Sequence, residues 1–215
     1  MTQIFSPAGD IWMRLFLIGI ASLAIGSIAG AIGYARTDYY AFTNRVPPQP
    51  VPFSHKHHVA GLGLDCRFCH SGVETGRRAE LPPTETCMTC HSQIWTNAAL
   101  LAPVRKSFKE NTPIVWQRVA RVPDYVFFRH DIHIAKGVGC VTCHGHVEDM
   151  PLTYRAVPLT MKFCLDCHRN PAPNLRPHDR ITDMDWKPKE GETKKLFAHA
   201  GINPADITHC YTCHR

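Results

Sequence analysis

No run of basic residues interrupts this sequence. Its 24 lysines and arginines are scattered rather than striped, so a formal net charge of +6 gives no footprint for a nucleic-acid backbone. Strand-rich stretches are missing as well. Val119 to Phe128 is the one modest β candidate, and Pro123 interrupts it. With 20% charged and 44% apolar residues the chain is neither a disordered tail nor a polytopic membrane protein. What these exclusions leave is unusual: ten cysteines and fourteen histidines in 215 residues. Cytosolic enzymes reach that cysteine level only where metal or cofactor chemistry demands it.

From Leu15 to Tyr34 twenty residues run without a charge. At about 1.5 Å per residue they span roughly 30 Å, the thickness of a bilayer's hydrocarbon core. A cleaved signal peptide is the competing reading, with Gly33-Tyr34-Ala35 as a cleavage site. The run exceeds a signal's usual apolar stretch of about 7–15 residues. Tyr34, Tyr39 and Tyr40 also form an aromatic belt at its exit. The expectation is therefore an uncleaved anchor over residues 1–35 with a cytoplasmic N-terminus. A neck over 36–52 follows, stiffened by Pro47, Pro48, Pro50 and Pro52 as a spacer from the membrane. Ser22, Gly26 and Gly30 recur at four-residue spacing, either as a helix-packing face or as the ordinary glycine content of such helices. Arg14 at the entry against Arg36 and Arg45 at the exit leaves orientation undecided by charge.

Every cysteine falls in one of five copies of a pentapeptide: Cys66-Arg67-Phe68-Cys69-His70, Cys87-Met88-Thr89-Cys90-His91, Cys140-Val141-Thr142-Cys143-His144, Cys164-Leu165-Asp166-Cys167-His168 and Cys210-Tyr211-Thr212-Cys213-His214. Cys-x-x-Cys-His is the spacing of covalent haem c attachment. Two thiols add across two vinyl groups, and the following imidazole sits beneath the iron. Zinc built from paired Cys-x-x-Cys units would strand one pair and leave five histidines unexplained. A redox Cys-x-x-Cys is expected once, beside a βαβ pattern that is absent here. Five haems c are therefore expected, with proximal ligands His70, His91, His144, His168 and His214. Haem c is attached on the outer side of bacterial membranes, so the cytochrome domain is expected on the periplasmic or exoplasmic face of the inner membrane.

The chain also repeats itself. Phe53-Ser54-His55-Lys56-His57-His58 precedes the first motif, and Phe128-Arg129-His130-Asp131-Ile132-His133 precedes the third; both read Phe-x-His-x-x-His. A glycine-containing turn and two haem motifs follow each. The histidines are offset by 75 residues, the first cysteines by 74 and the second by 77. A truncated copy, Phe197-Ala198-His199, precedes Cys210, with Ile202 where a second histidine would stand. Units 53–91 and 128–168 thus carry two haems and two upstream histidines each, and the half unit 197–214 carries one of each. His55, His58, His130, His133 and His199 are assigned as distal ligands, giving five bis-histidine irons with no open position. Spacing does not say which distal histidine serves which haem. His57, His146, His178 and His209 are read as surface or supporting groups, and Met150 or Met161 could replace a histidine at one iron.

The expected fold is mainly α with much irregular structure: one transmembrane helix and a class III-like multihaem domain over 53–215 whose core is the haems. Helices are expected from Ser92 to Leu101, and from Pro103 as first helical residue to Lys109.

The apolar anchor, the proline neck, Phe53-Ser54-His55-Lys56-His57-His58 and Pro123-Asp124-Tyr125-Val126-Phe127-Phe128-Arg129-His130 together resemble the pentahaem cytochrome c subunit of alternative complex III, a bacterial quinol:electron-acceptor oxidoreductase. The resemblance spans nearly the whole chain. It implies an electron wire with no catalytic residue of its own. Electrons would come from integral membrane quinol-binding subunits and an iron–sulfur protein and pass to a periplasmic cytochrome c or blue copper protein. Two other classes compete. A self-sufficient membrane-anchored quinol dehydrogenase feeding a periplasmic reductase would need its own quinol pocket and usually four haems. A catalytic multihaem reductase would need an iron with an open face, and every motif here ends in histidine.

Overall fold

The computed structural model describes residues 6–214; the first five residues, part of the expected cytoplasmic terminus, and Arg215 lie outside them. The chain separates into two compact units, Met1–Phe42 and Thr43–Arg215.

In the first unit helix α1 spans Pro7–Ala35. Ser6 caps it by accepting the Gly9 N–H at 3.2 Å, and proline stands in its first turn, where no N–H is missed. Its 29 residues would extend about 43 Å at the usual rise per residue. Side chains from Ile11 to Ile32 are exposed on every face. A helix that is apolar all round and buries nothing is suited to a lipid solvent. Its charges, Asp10 and Arg14, pair at 2.9 Å one turn from the start. Beyond Arg36, Thr37 caps the short helix α2, Asp38–Ala41, which Phe42 ends in a left-handed conformation (φ 55°). The Tyr34 ring lies 6.1 Å from Tyr39 and 5.8 Å from Tyr40, which places the aromatic cluster at the helix exit.

The second unit is a succession of short helices joined by turns: α3 (Cys66–Cys69), α4 (Thr84–His91), α5 (Ala102–Glu110), α6 (His130–Ala135), α7 (Cys140–His144), α8 (Met161–Arg169), α9 (Glu192–Ala200), α10 (Pro204–Ile207) and α11 (Cys210–Cys213). A π-helical turn covers Lys56–Gly61. Among the described residues there is no strand, only two isolated antiparallel bridges, Val126 with His214 and Val138 with Leu175. The β candidate at 119–128 thus reduces to the single bridge at Val126. Pro123 lacks the N–H a ladder needs, and its carbonyl instead closes a turn with the Val126 N–H.

The expected helix from Ser92 to Leu101 does not form. Ser92 ends α4 by donating its N–H to Met88, and Trp95 takes a left-handed φ of 55° that no helix continues through. Only a 3-10 turn, Ala99–Leu101, remains of it. The expected helix after Pro103 is α5, with proline in its first turn and Asn111 as a left-handed cap. Helices α4 and α5 are tied by a buried hydroxyl pair, Thr84 Oγ1 with Ser107 Oγ at 2.6 Å.

The apolar core is thin for a unit of this size: Val51, Val104, Ile134, Met150, Leu175, Ile181 and Met184 are buried, while Leu62, Leu81, Leu100, Val115 and Met161 stay exposed. Main-chain bonds between distant segments do much of the joining. Lys56 N–H donates to Met150 O (3.1 Å), His130 N–H to Arg77 O (3.1 Å), and Cys140 N–H to Ile181 O (3.1 Å). Each contributes about 1 kcal/mol net. The neck does not run free of this unit. Asn44 N–H donates to Arg155 O, and Gln49 and Gln117 exchange two bonds of 2.8 and 2.9 Å.

Candidate haem-binding site

Each Cys-x-x-Cys lies on a helical turn: α3, the second half of α4, α7, α8 and α11. A three-residue step on a helix places both sulfurs on one face, with the next histidine at the helix end. The first turn is capped by the Asp65 side chain on the Arg67 N–H (2.8 Å), and α8 by Thr160 on Phe163 (3.4 Å). None of the ten cysteines is in a disulfide. Burial pushes the Cys66 thiol up to about 11 and Cys143 to about 12, so both favour the neutral thiol over a thiolate.

Thiols of different motifs stand near one another. Cys69 stands within electrostatic range of Cys87, Cys66 of Cys140, Cys143 of Cys164 and Cys167, and Cys164 of Cys213.

The histidines are arranged with matching economy. In both repeats the phenylalanine meets the first histidine edge-on, Phe53 with His55 at 4.9 Å and 86°, Phe128 with His130 at 4.7 Å and 87°. It meets the second nearly face-on, Phe53 with His58 at 4.4 Å and Phe128 with His133 at 4.6 Å. Seven of the ten candidate ligands have a partner at Nδ1 among the described residues. The Nδ1 atoms of His58, His70, His91, His130, His133 and His168 face the main-chain carbonyls of Ser54, Glu80, Ile94, Arg77, Arg129 and Ile207. That of His55 faces Thr153 Oγ1. Donation from Nδ1 fixes the tautomer in which Nε2 carries a free lone pair for a metal. Burial pulls His55 and His144 down to about 4 and lowers His130 and His133, holding all four in the neutral form that ligates.

Three pairs of these rings stand opposite one another: His58 and His91 with centres 6.2 Å apart, His130 and His144 at 6.4 Å, His133 and His168 at 6.2 Å. Two imidazoles bound to opposite sides of one metal at bonds of roughly 2 Å have centres about 6.3 Å apart. The residues present therefore fit iron held between two imidazoles. A buried donor without an acceptor supports the same fit. Arg176 lies 5.5 Å over Trp186 and donates Nη1 to Asp183 O, but its buried Nε, beside Cys140, has no partner. A haem propionate is an acceptor of the kind it lacks.

Besides burial, the neighbouring His70, His58 and His144 lower the His55 pKa, and His214 forms the bridge to Val126 with its ring 5.7 Å from Tyr125. The half unit differs from the full ones. His199 is the penultimate residue of α9 and exposed, and among the described residues no ring contact joins it to Phe197 or His214. Of the remaining histidines, His146 pairs with Glu148 at 2.8 Å, His209 stacks on Tyr211 at 5.4 Å, and His57 and His178 are exposed. Met150 is fully buried, and Met161 opens α8 in solvent. Thr153, Arg77 and Arg176 belong to the site although no motif marks them.

No family model matches the chain. Over 188 residues it is 31% identical to the menaquinone reductase multiheme cytochrome c subunit of Nitratidesulfovibrio vulgaris, an alignment covering 78% of this chain and 77% of that protein.

Proposed function

The chain belongs to the family of multihaem cytochrome c subunits of membrane menaquinone-linked oxidoreductases, and from that premise we propose that it is the electron wire of a quinol-oxidising complex of the alternative complex III kind. Five covalently attached haems c supply one-electron carriers. The chain's own residues hold them. The ten motif cysteines bind, and His70, His91, His144, His168 and His214 ligate from the near side. His55 is assigned to the first site, His58 to the second, His130 to the third, His133 to the fourth and His199 to the fifth. The observation that carries this reading is the three opposed imidazole pairs at 6.2–6.4 Å.

The neighbouring thiols support a single line of sites, second, first, third, fourth, fifth, with the second and fifth at its ends. Helix α1 and residues 1–35 serve as the anchor, residues 36–52 as the neck, and residues 53–215 as the periplasmic cytochrome. The partners on this reading are integral quinol-binding subunits, an iron–sulfur protein and a soluble periplasmic acceptor.

A second reading has an observation behind it. The relative's name assigns it to a menaquinone reductase, which reverses the flow. A line of bis-histidine irons conducts either way, and direction follows from potentials. Redox titration of the purified holoprotein tests both. Midpoints spread at and above that of the menaquinone pool support quinol oxidation, and midpoints all well below it support reduction. Fewer than five haems by mass, or carbon monoxide binding at one ferrous iron, overturns the wire. Quinol oxidation by the isolated chain replaces the subunit role with a self-sufficient dehydrogenase.

A further inference from the structure

We propose that Thr153 is a positioning residue that sets the reduction potential of the first-site haem through the Nδ1–H of His55, lowering it less than a main-chain carbonyl in its place would. The inference rests on the reading of His55 as the distal ligand there.

Seven of the assigned ligands have a partner at Nδ1, and six of those partners are main-chain carbonyls. Thr153 Oγ1, at 2.9 Å, is the exception. The hydrogen bond an imidazole donates from its second nitrogen sets how much electron density its first nitrogen offers the metal. A peptide carbonyl is a strong acceptor with two lone pairs. A threonine hydroxyl is a weaker one that rotates about its own bond. His55 is therefore the least electron-rich ligand of the seven, and a poorer donor favours the reduced iron. Hydrogen bonding around the ligands is among the levers by which a protein tunes haem potential.

The repeat supplies an internal control. His130 is the counterpart of His55, and its Nδ1 faces the Arg77 carbonyl at 3.1 Å. Each first histidine is thus oriented by the other repeat, but only one by a side chain that substitution can remove. Thr153 is itself held in place. Lys56, next to His55, donates its N–H to Met150 three residues before Thr153. That bond holds the segment carrying Thr153 beside His55.

The experiment is potentiometric titration with low-temperature electron paramagnetic resonance on holoprotein shown by mass to carry five haems. Thr153→Val removes the acceptor at nearly constant volume. One of five midpoints moves upward and the other four stay. Thr153→Ser restores the parent value. If Val does not assemble, Thr153→Ala against Thr153→Ser gives the same contrast. Unchanged midpoints in the Val or Ala protein, or a Ser protein shifted as far as either, overturn the proposal. His55→Ala separates this failure from failure of its premise. Loss of one low-spin signal in His55→Ala together with unmoved midpoints in Thr153→Val sinks the threonine's role alone, whereas five intact low-spin signals in His55→Ala sink the ligand assignment.

Discussion

In the first repeat His55 caps, and His58 stands on, a π-helical turn, Lys56–Gly61, whereas in the second His130 and His133 stand on an ordinary helix, α6. The ring geometry is nonetheless the same to within a few tenths of an ångström between phenylalanine and histidines. The sequence difference behind the backbone difference is one residue, since His58 precedes Cys66 by eight and His133 precedes Cys140 by seven. The hydrogen bonds show where it went. Val138 N–H reaches back five residues to His133 O, and Leu64 N–H reaches back six to His58 O. An extra residue taken up as a wider turn leaves everything on either side in register. The glycine turns that follow differ too. Gly137 and Gly139 lie under the 174–176 segment, and Gly63 lies in open space. The histidine rings are held alike while the chain between them differs, so the invariant is the spacing of imidazoles and not the helix type.

The comparison breaks most visibly at the second histidines. His58 and His133 each turn Nδ1 to the carbonyl four residues back, at 2.8 and 2.6 Å. His58→Ala and His133→Ala should each abolish one of five low-spin signals and no other. The two lost signals should differ. The His58/His91 planes are crossed at 68° and the His133/His168 planes at 31°. Crossed imidazoles bring two iron d-orbitals toward equal energy, so His58→Ala should remove the more anisotropic signal. Resonance spectra that lose the same signal in both variants would dissolve the pairing.

The glycine turns give a smaller difference. Both Gly63 (φ +68°) and Gly137 (φ +85°) are left-handed, but a Cβ at Gly63 meets nothing within 4 Å, while one at Gly137 would stand 2.8 Å from the Arg176 carbonyl oxygen. Gly63→Ala should cost about 1 kcal/mol of strain alone. Gly137→Ala should cost about 2–4 kcal/mol, because main chain must also move. Denaturant unfolding of the two holoproteins reads this directly, and equal losses would show that the packing on Gly137 carries no weight.

The chemistry was legible in the sequence because it is spelled by residue type and interval. Five pentapeptides used every cysteine, and a repeat offset of 74–77 residues predicted two Phe-x-His-x-x-His elements with matching geometry. The thin core was legible for the same reason, since too few residues surround each cofactor. What stayed hidden depends on contacts between distant segments. Thr153 and the Arg77 carbonyl orient the first histidines from 98 and 53 residues away, and neither position carries a motif. The helix expected at 92–101 failed on one backbone angle at Trp95, which composition does not encode. The half unit kept the interval of eleven from His199 to Cys210, yet its histidine ends a helix instead of beginning one.

The smallest expected effect is the most pointed test of the repeat comparison. Deleting exposed Ala60 from the π turn shortens the His58–Cys66 interval from eight to seven, the value in the second repeat. π turns are rare because their wider ring is no more stable than an α turn. If the extra residue is only accommodated, the segment should close into a helix like α6. The variant should then keep five haems and all low-spin signals, with stability within about 1 kcal/mol of the parent. If the turn instead aims His55 at its site, deletion will rotate the residues before it by roughly 100° relative to Cys66. The first- or second-site haem will then lose its distal ligand. Haem count and low-spin signals separate these outcomes, and they decide whether the bulge is a tolerated insertion or part of how the first site is built.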